Sequence, residues 1–343
     1  MVRLCYITRN YRGVSSAGNK AKTDNEDTLV GMGAVNLGLR RTFYRNKVLT
    51  FFIDLAGIIK FVFSVRNDDL VLLQYPVKKY FSFLCMVARF RHARTMTVIH
   101  DLGSFRRRKL TVGKEIGRLS NADYVIASNT VMRKWLQSNG LHNTVRPLGL
   151  FDYHSPSPVP DNTGCTEDDN RLIYAGALGM RKNAFLLDAD KISFGCKIHI
   201  YGNRKGLPQL NDSENIIFHD FCPADDFISK VNNGWGLVWD GDSLDCCTGN
   251  FGEYLRYNSP HKVSFYLRAG LPVIIWREAA LADIIEKQGL GFCIDRLDEI
   301  ENRLRDITAK EMETIKANVR IVSEKLNEGG FLKDAVAAVM REL

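Results

Sequence analysis

Apolar residues recur along this chain in short runs, separated by stretches where they return every three or four positions. The runs at 2–8 (VRLCYIT), 69–76 (DLVLLQYP), 95–101 (TMTVIHD) and 123–128 (DYVIAS) predict strands, several of them ending in polar residues. Helix-period segments at 79–91 and 113–121 lie between them, and Asn129 or Thr130 stands where a cap would open the helix in VMRKWLQSNG. The segment 151–170 has three prolines, many turn formers and no periodicity, so it reads as a linker. Alternation resumes with strands expected at 171–176, 196–202, 215–221, 235–240, 271–276 and 291–294, and the chain ends in helical patterns at 297–306, 308–326 and 331–342. Strand–helix alternation of this kind predicts parallel sheets: two doubly wound, Rossmann-like α/β domains at 1–150 and 171–330. The last helix, 331–343, is expected to pack back on the first domain. Such sheets bind ligands beyond the carboxyl ends of their strands, here in a cleft facing both domains.

Charge sharpens this division. Residues 1–150 hold 25 Lys and Arg against 9 Asp and Glu, a surplus of +16, whereas residues 151–343 hold 22 against 30. Opposed halves imply two domains meeting different partners. The window 48–65 is the most apolar, yet it carries Asp54 and Lys60, which argues against a membrane span. MVRLCYITRNYRG runs from an apolar strand into a polar loop, unlike a cleavable leader. The eight cysteines form no CxxC pair and no zinc-like spacing. They read as reduced thiols, so a cytoplasmic location is expected.

The stretch YNSPHKVSFYLRAGLPVIIW (257–276) places His261 and Lys262 on the first turn of a helix. A cation sits badly there, because the helix N-terminus already carries positive potential. It fits if an anion such as a phosphate binds at that end. ALGMRKNAF supplies Arg181, Lys182 and Asn183 after another strand, and GLVWDGDS brings Asp240 to the end of a third, so these residues form a candidate diphosphate site. DGD at 240–242 is compatible with a divalent ion under a nucleotide diphosphate, but the pattern is short and a plain turn is the preferred reading. With cations already present no metal is expected. In the first half, VIHDLGSFR ends a strand with His100 and Asp101, a candidate general base or a pair of structural hydrogen-bonders. The loop bearing Gly13, Ser15 and Ser16 offers donors to a phosphate or an acceptor. It has no GxGxxG, and no Walker A, GxSxG, HExxH or kinase signature occurs. Basic residues interleaved with aromatics at 78–94 and 105–109 read first as a core helix with solvated charges, next as a face for an anionic membrane surface, and last as a nucleic-acid contact.

The strings GLVWDGDS, GNFGEYLRYNSPHKVSFYLRAGLPVIIW and AALADII together resemble bacterial GT-B glycosyltransferases. The similarity is to the β-1,6-galactofuranosyltransferases of surface-polysaccharide pathways and the glucosyltransferases that extend GlcNAc on serine-rich adhesins. It is strongest over 171–295, with VIHDLGSFR and NADYVIASN matching the general pattern. The resemblance implies a UDP-sugar bound mainly by the C-terminal domain and an acceptor bound by the N-terminal one. It makes Lys262 a diphosphate ligand, with Arg181 or Lys182 beside it and Tyr257, Asn258 and His261 as companions. It matches His100 and Asp101 to a His-Asp at the end of an N-domain strand. Retaining GT-B enzymes carry two glutamates around this helix; Asn258, His261 and Lys262 stand there instead, which favours inversion.

The expectation is a metal-independent glycosyltransferase, without cofactor, moving a hexose from a UDP-sugar to a glycan or lipid-linked saccharide. Galactofuranose leads and glucose follows. Association with the inner membrane face and a homo-oligomer are compatible; nucleic acid is not expected as a partner. The rival readings are a UDP-sugar epimerase of the same fold and a non-catalytic docking subunit.

Overall fold

The structure, a computed structural model, describes residues 2–11, 17–76, 80–106, 110–158, 171–231 and 233–343. The chain divides into two units, Met1–Asp152 with Gly329–Leu343, and Tyr153–Glu328.

In the first unit six strands form one all-parallel sheet: β1 (Arg3–Tyr6), β2 (Val35–Asn36), β3 (Asp69–Tyr75), β4 (Arg94–Ile99), β5 (Tyr124–Ala127) and β6 (Thr144–Pro147). Their order is β2-β1-β3-β4-β5-β6. Both faces of β3 are covered, and all seven of its residues are buried. Leu70 and Leu72 point to one side, where they meet Leu29 of the helix Ala17–Gly31 and Leu332, Val336 and Val339 of the helix Gly330–Met340. Val71, Leu73 and Tyr75 point to the other, against Phe61, Leu84, Ile116 and Met132 of four further helices. The period of two along one strand thus builds two cores. Two strands do not show in the apolar pattern: β2 has only two residues, and β6 reads TVRP, mostly polar and ending in Pro147 at the sheet edge, where a missing N–H is tolerated. Asn129 caps its helix, accepting from Met132 N at 2.8 Å. The last helix starts after Gly329, and buried Asp152 accepts from Phe331 N and Leu332 N at 3.0 and 2.8 Å. A carboxylate at a helix N-terminus satisfies orphan donors and complements the dipole.

The second unit holds β7 (Arg171–Ala175), β8 (Lys197–Tyr201), β9 (Ile216–His219), β10 (Trp235–Val238), β11 (Val273–Trp276) and β12 (Gly291–Ile294), again all parallel. Their order is β12-β11-β10-β7-β8-β9. The segment beginning at Tyr153 is anchored here rather than loose: Ser155 donates to Asp225 at 2.6 Å, and the fully buried Arg268 donates to Ser155 O at 3.1 Å. Among the described residues no helix is long and apolar enough to cross a membrane.

The helix His261–Arg268 lies unusually close to the sheet. A Cβ at Gly236, in β10, would stand 2.3 Å from the ring of Tyr266, whose hydroxyl accepts from Ala175 N at the end of β7 at 2.7 Å. Glycine is required there for packing. Gly236→Ala should therefore lower stability by about 1–3 kcal/mol, read as a lower urea midpoint, because the ring must move.

Candidate active site

In the second sheet the chain order reverses between β7 and β10, so the connections leaving those two strands run in opposite directions and open a crevice at their carboxyl ends. Arg181, Lys182 and Asn183 follow β7, Asp240 follows β10, and the helix His261–Arg268 leads on to β11. The two loops are joined by Gly241 N donating to Lys182 O at 2.6 Å and Phe185 N to Gly241 O at 3.2 Å.

Lys262 is the centre of this arrangement. Its side chain is 10% exposed, and its Nζ is buried with no hydrogen-bond acceptor among the described residues. It lies 3.7 Å from Asp240 Oδ1 and 3.7 Å from the centre of the Tyr174 ring. The π face and the carboxylate favour the ammonium but leave its three N–H groups without a direct partner. Lys182 Nζ stands 4.0 Å from the other oxygen of Asp240. Burial, then the nearby Lys182, pull the Lys262 pKa down from 10.5 to about 7, and Asp240 offsets only part of this. A buried amine in this state is stabilised by any anion that supplies acceptors.

Asn183 takes a different part from the ligand role expected of it. It is fully buried; its amide donates to Tyr174 Oη at 2.9 Å and Ala177 O at 3.2 Å, and accepts from Gly179 N at 2.7 Å. Both amide hydrogens are spent inside the chain, so Asn183 shapes the loop that presents its neighbours. Arg181 is exposed and Lys182 half-buried. Asn258 Oδ1 is buried without a donor among the described residues, a second orphan just before the helix. His261 packs its ring on Tyr153 at 4.9 Å, and Tyr257 is half-buried, its N–H bonded to Tyr254 O. The two carboxylates of DGD diverge in their partners: Asp240 faces the lysines, whereas Asp242 accepts from the Thr248 hydroxyl at 2.5 Å.

In the first unit His100 and Asp101 follow β4. His100 stacks on Phe151, ring centres 5.1 Å apart, and its Nε2 is 2.9 Å from Gln74 Oε1 at the end of β3. The backbone determines the protonation pattern. Gln74 Nε2 donates to Lys22 O at 3.0 Å, and a carbonyl only accepts, so Gln74 Oε1 must face the other way. There it accepts from Asn25 Nδ2 at 3.2 Å and requires a hydrogen on His100 Nε2. Nδ1 is then the basic nitrogen of the neutral ring. Asp101 is half-buried. Gly13, Ser15 and Ser16 lie outside the described residues.

Sequence reasoning missed Tyr174 and Gln74. Each is a polar group inside an otherwise apolar strand run, LIYAG and DLVLLQYP, and that interruption is the available signal. Asn25, on a helix whose pattern is mostly polar, gave none.

Two outcomes follow from these geometries. Binding of a UDP-hexose, whose diphosphate does not titrate near neutrality, should draw about one proton onto Lys262 at about pH 8 and far fewer at about pH 6. The sign is set by a site pKa of about 7 that rises toward the ordinary value when an anion arrives. Titration calorimetry in buffers of different ionisation enthalpy measures it. In Gln74→Leu, His100 should lose its preference for the Nε2–H tautomer, seen in ring ¹⁵N shifts.

Comparison with known proteins agrees with the fold. Residues 4–149 match the description "Glucosyltransferase 3-like, N-terminal domain" and residues 172–339 match "Glucosyltransferase 3-like, C-terminal domain". The chain is 28% identical over 328 residues to the β-1,6-galactofuranosyltransferase WbbI of Escherichia coli K12, covering 95% of each. It is 24% identical to glucosyltransferase 3 of Streptococcus gordonii, covering 82% of this chain and 81% of that one. A sucrose-phosphate synthase from Thermosynechococcus elongatus shares the fold, with TM-score 0.62 at 13% identity over 100% of this chain and 99% of that one. The chain belongs to the glucosyltransferase 3-like family of GT-B glycosyltransferases and is a hexosyltransferase.

Proposed function

We propose that this enzyme transfers galactofuranose from its UDP-sugar, with glucose as the second candidate, to a glycan or lipid-linked saccharide of bacterial surface polysaccharide or glycoprotein synthesis. The observation that carries the donor class is the buried Lys262 ammonium, which has no hydrogen bond among the described residues, at the start of a helix beside the crevice between β7 and β10. A diphosphate supplies the missing acceptors and meets the helix N-terminus. Support for the sugar comes from the galactofuranosyltransferase relative, which the chain matches over 95% of its length.

The reaction follows as a single displacement. The acceptor hydroxyl oxygen attacks the anomeric carbon, its proton passes to Asp101, and the bond from that carbon to the diphosphate oxygen breaks with its electron pair on the leaving group. Lys262 and Lys182, with the exposed Arg181, offset the charge that develops on that oxygen. Two amines already do the work a divalent cation would do, so the proposal is metal-independent. The carbon passes through an oxocarbenium-like state, and attack opposite the leaving group inverts it. His100, held by Gln74 and Phe151, borders the base.

Asp101→Asn should leave UDP binding intact and reduce transfer by about 10²–10⁴-fold. The assay uses UDP-galactofuranose and UDP-glucose as alternative donors, with EDTA present, and reads the anomeric configuration of the product by NMR. A product with the donor's configuration would refute inversion, and normal transfer by the variant would refute the base.

A further inference from the structure

The helix Lys47–Ser64 presents an apolar face to water. Thr50, Gly57, Ile58 and Phe61 are buried on the sheet side. Val48, Phe52, Ile59 and Phe63 recur at spacings that place them in one stripe on the opposite side, and they are 66, 59, 51 and 79% exposed. Phe51 flanks the stripe, its ring edge-on to Phe52 at 5.5 Å. The neighbouring helix Phe81–Phe90 is tied to this one through Arg91, whose Nη2 donates to Val62 O at 3.4 Å, and it adds exposed Met86 and Phe90. Soluble surfaces rarely leave so many large apolar side chains side by side without a partner.

The charges around the stripe are mostly positive, although exposed Asp68 follows Arg66. Between Phe43 and Arg66 the only acid is Asp54, whose carboxylate accepts from Asn10 N at 3.1 Å. Between Tyr80 and Arg94 there is none. Arg45, Lys47, Arg66, Arg89 and Arg91 are all exposed.

We propose that this face docks the enzyme on an anionic lipid bilayer. The helix Lys47–Ser64 lies in the plane of the interface, with Val48, Phe52, Ile59 and Phe63 among the acyl chains and the basic residues at the headgroups. A second copy of the chain fits less well. A two-fold contact through the stripe would bring five cations against their own copies, with only Asp54 and Asp68 near enough in sequence to pair them. The expectation from sequence placed the membrane contact at 78–94 and 105–109. There, Phe81 is buried and Phe105 packs on Trp135 at 4.8 Å, so only part of the first segment faces outward; residues 77–79 and 107–109 lie outside the described residues. The surface is read from exposure and charge alone and does not rest on the proposed reaction.

The test is flotation of the full chain with vesicles of phosphatidylcholine, alone or mixed with phosphatidylglycerol. Binding is expected only with the anionic lipid and should weaken as salt is raised. Each basic side chain contributes roughly fivefold to the partition, so Arg45→Glu with Lys47→Glu should reduce it more than tenfold. Phe52→Ser with Phe63→Ser should abolish binding while circular dichroism and the thermal midpoint hold, since both side chains are exposed. Phe63→Trp should shift its emission to the blue on anionic vesicles only. Undiminished binding by the serine variant would overturn the proposal. So would a native chain that ignores vesicles and forms a dimer which the serine substitutions dissociate.

Discussion

The close approach of one helix to one strand governs the candidate site. Gly236 lets the ring of Tyr266 rest on β10, and the Tyr266 hydroxyl accepts from the last amide of β7. That contact joins both strands of the topological switch to the helix His261–Arg268. The start of the helix is thereby held over the crevice, and with it Lys262. A side chain larger than hydrogen at position 236 would lift the helix and the amine together.

Held there, Lys262 is a buried amine with no hydrogen bond among the described residues. The same burial that depresses its pKa makes it responsive to an incoming anion, because the charged form is costly until a partner arrives. Asp240, between two lysines, keeps the pocket from being a bare cluster of like charges, and Tyr174 lies beneath as an apolar floor with a polar edge. Asn183 holds this floor and the β7 loop in register. The site therefore holds an unsatisfied group, whose cost the surrounding fold carries and which an anion would relieve.

Much of this was legible in the chain itself. The doubly wound α/β class followed from strand–helix alternation, and the family from the residues around PHK. Lys262 stood out because a lysine on a helix start contradicts the dipole unless an anion is near. What did not show were roles set by tertiary hydrogen bonds. Asn183 looked like a ligand because it follows Arg-Lys, but burial commits its amide to Tyr174 and Ala177. Gln74 and Tyr174 sit in apolar runs, and only the paired strands show which groups they meet. The helix Lys47–Ser64 read as merely apolar; its burial pattern alone reveals that part of that apolar surface faces outward.

The account turns on a diphosphate held by Lys262 without a metal. The most direct measurement is calorimetric titration of UDP in the presence of EDTA, on the native chain and on Lys262→Met, which keeps an unbranched side chain one atom shorter and removes the charge. Native binding that survives EDTA, with a loss of about 10–100-fold in the variant, is the predicted result, as expected for a charge-assisted hydrogen bond. Equal affinity in the two proteins, or binding that vanishes with EDTA, would contradict it.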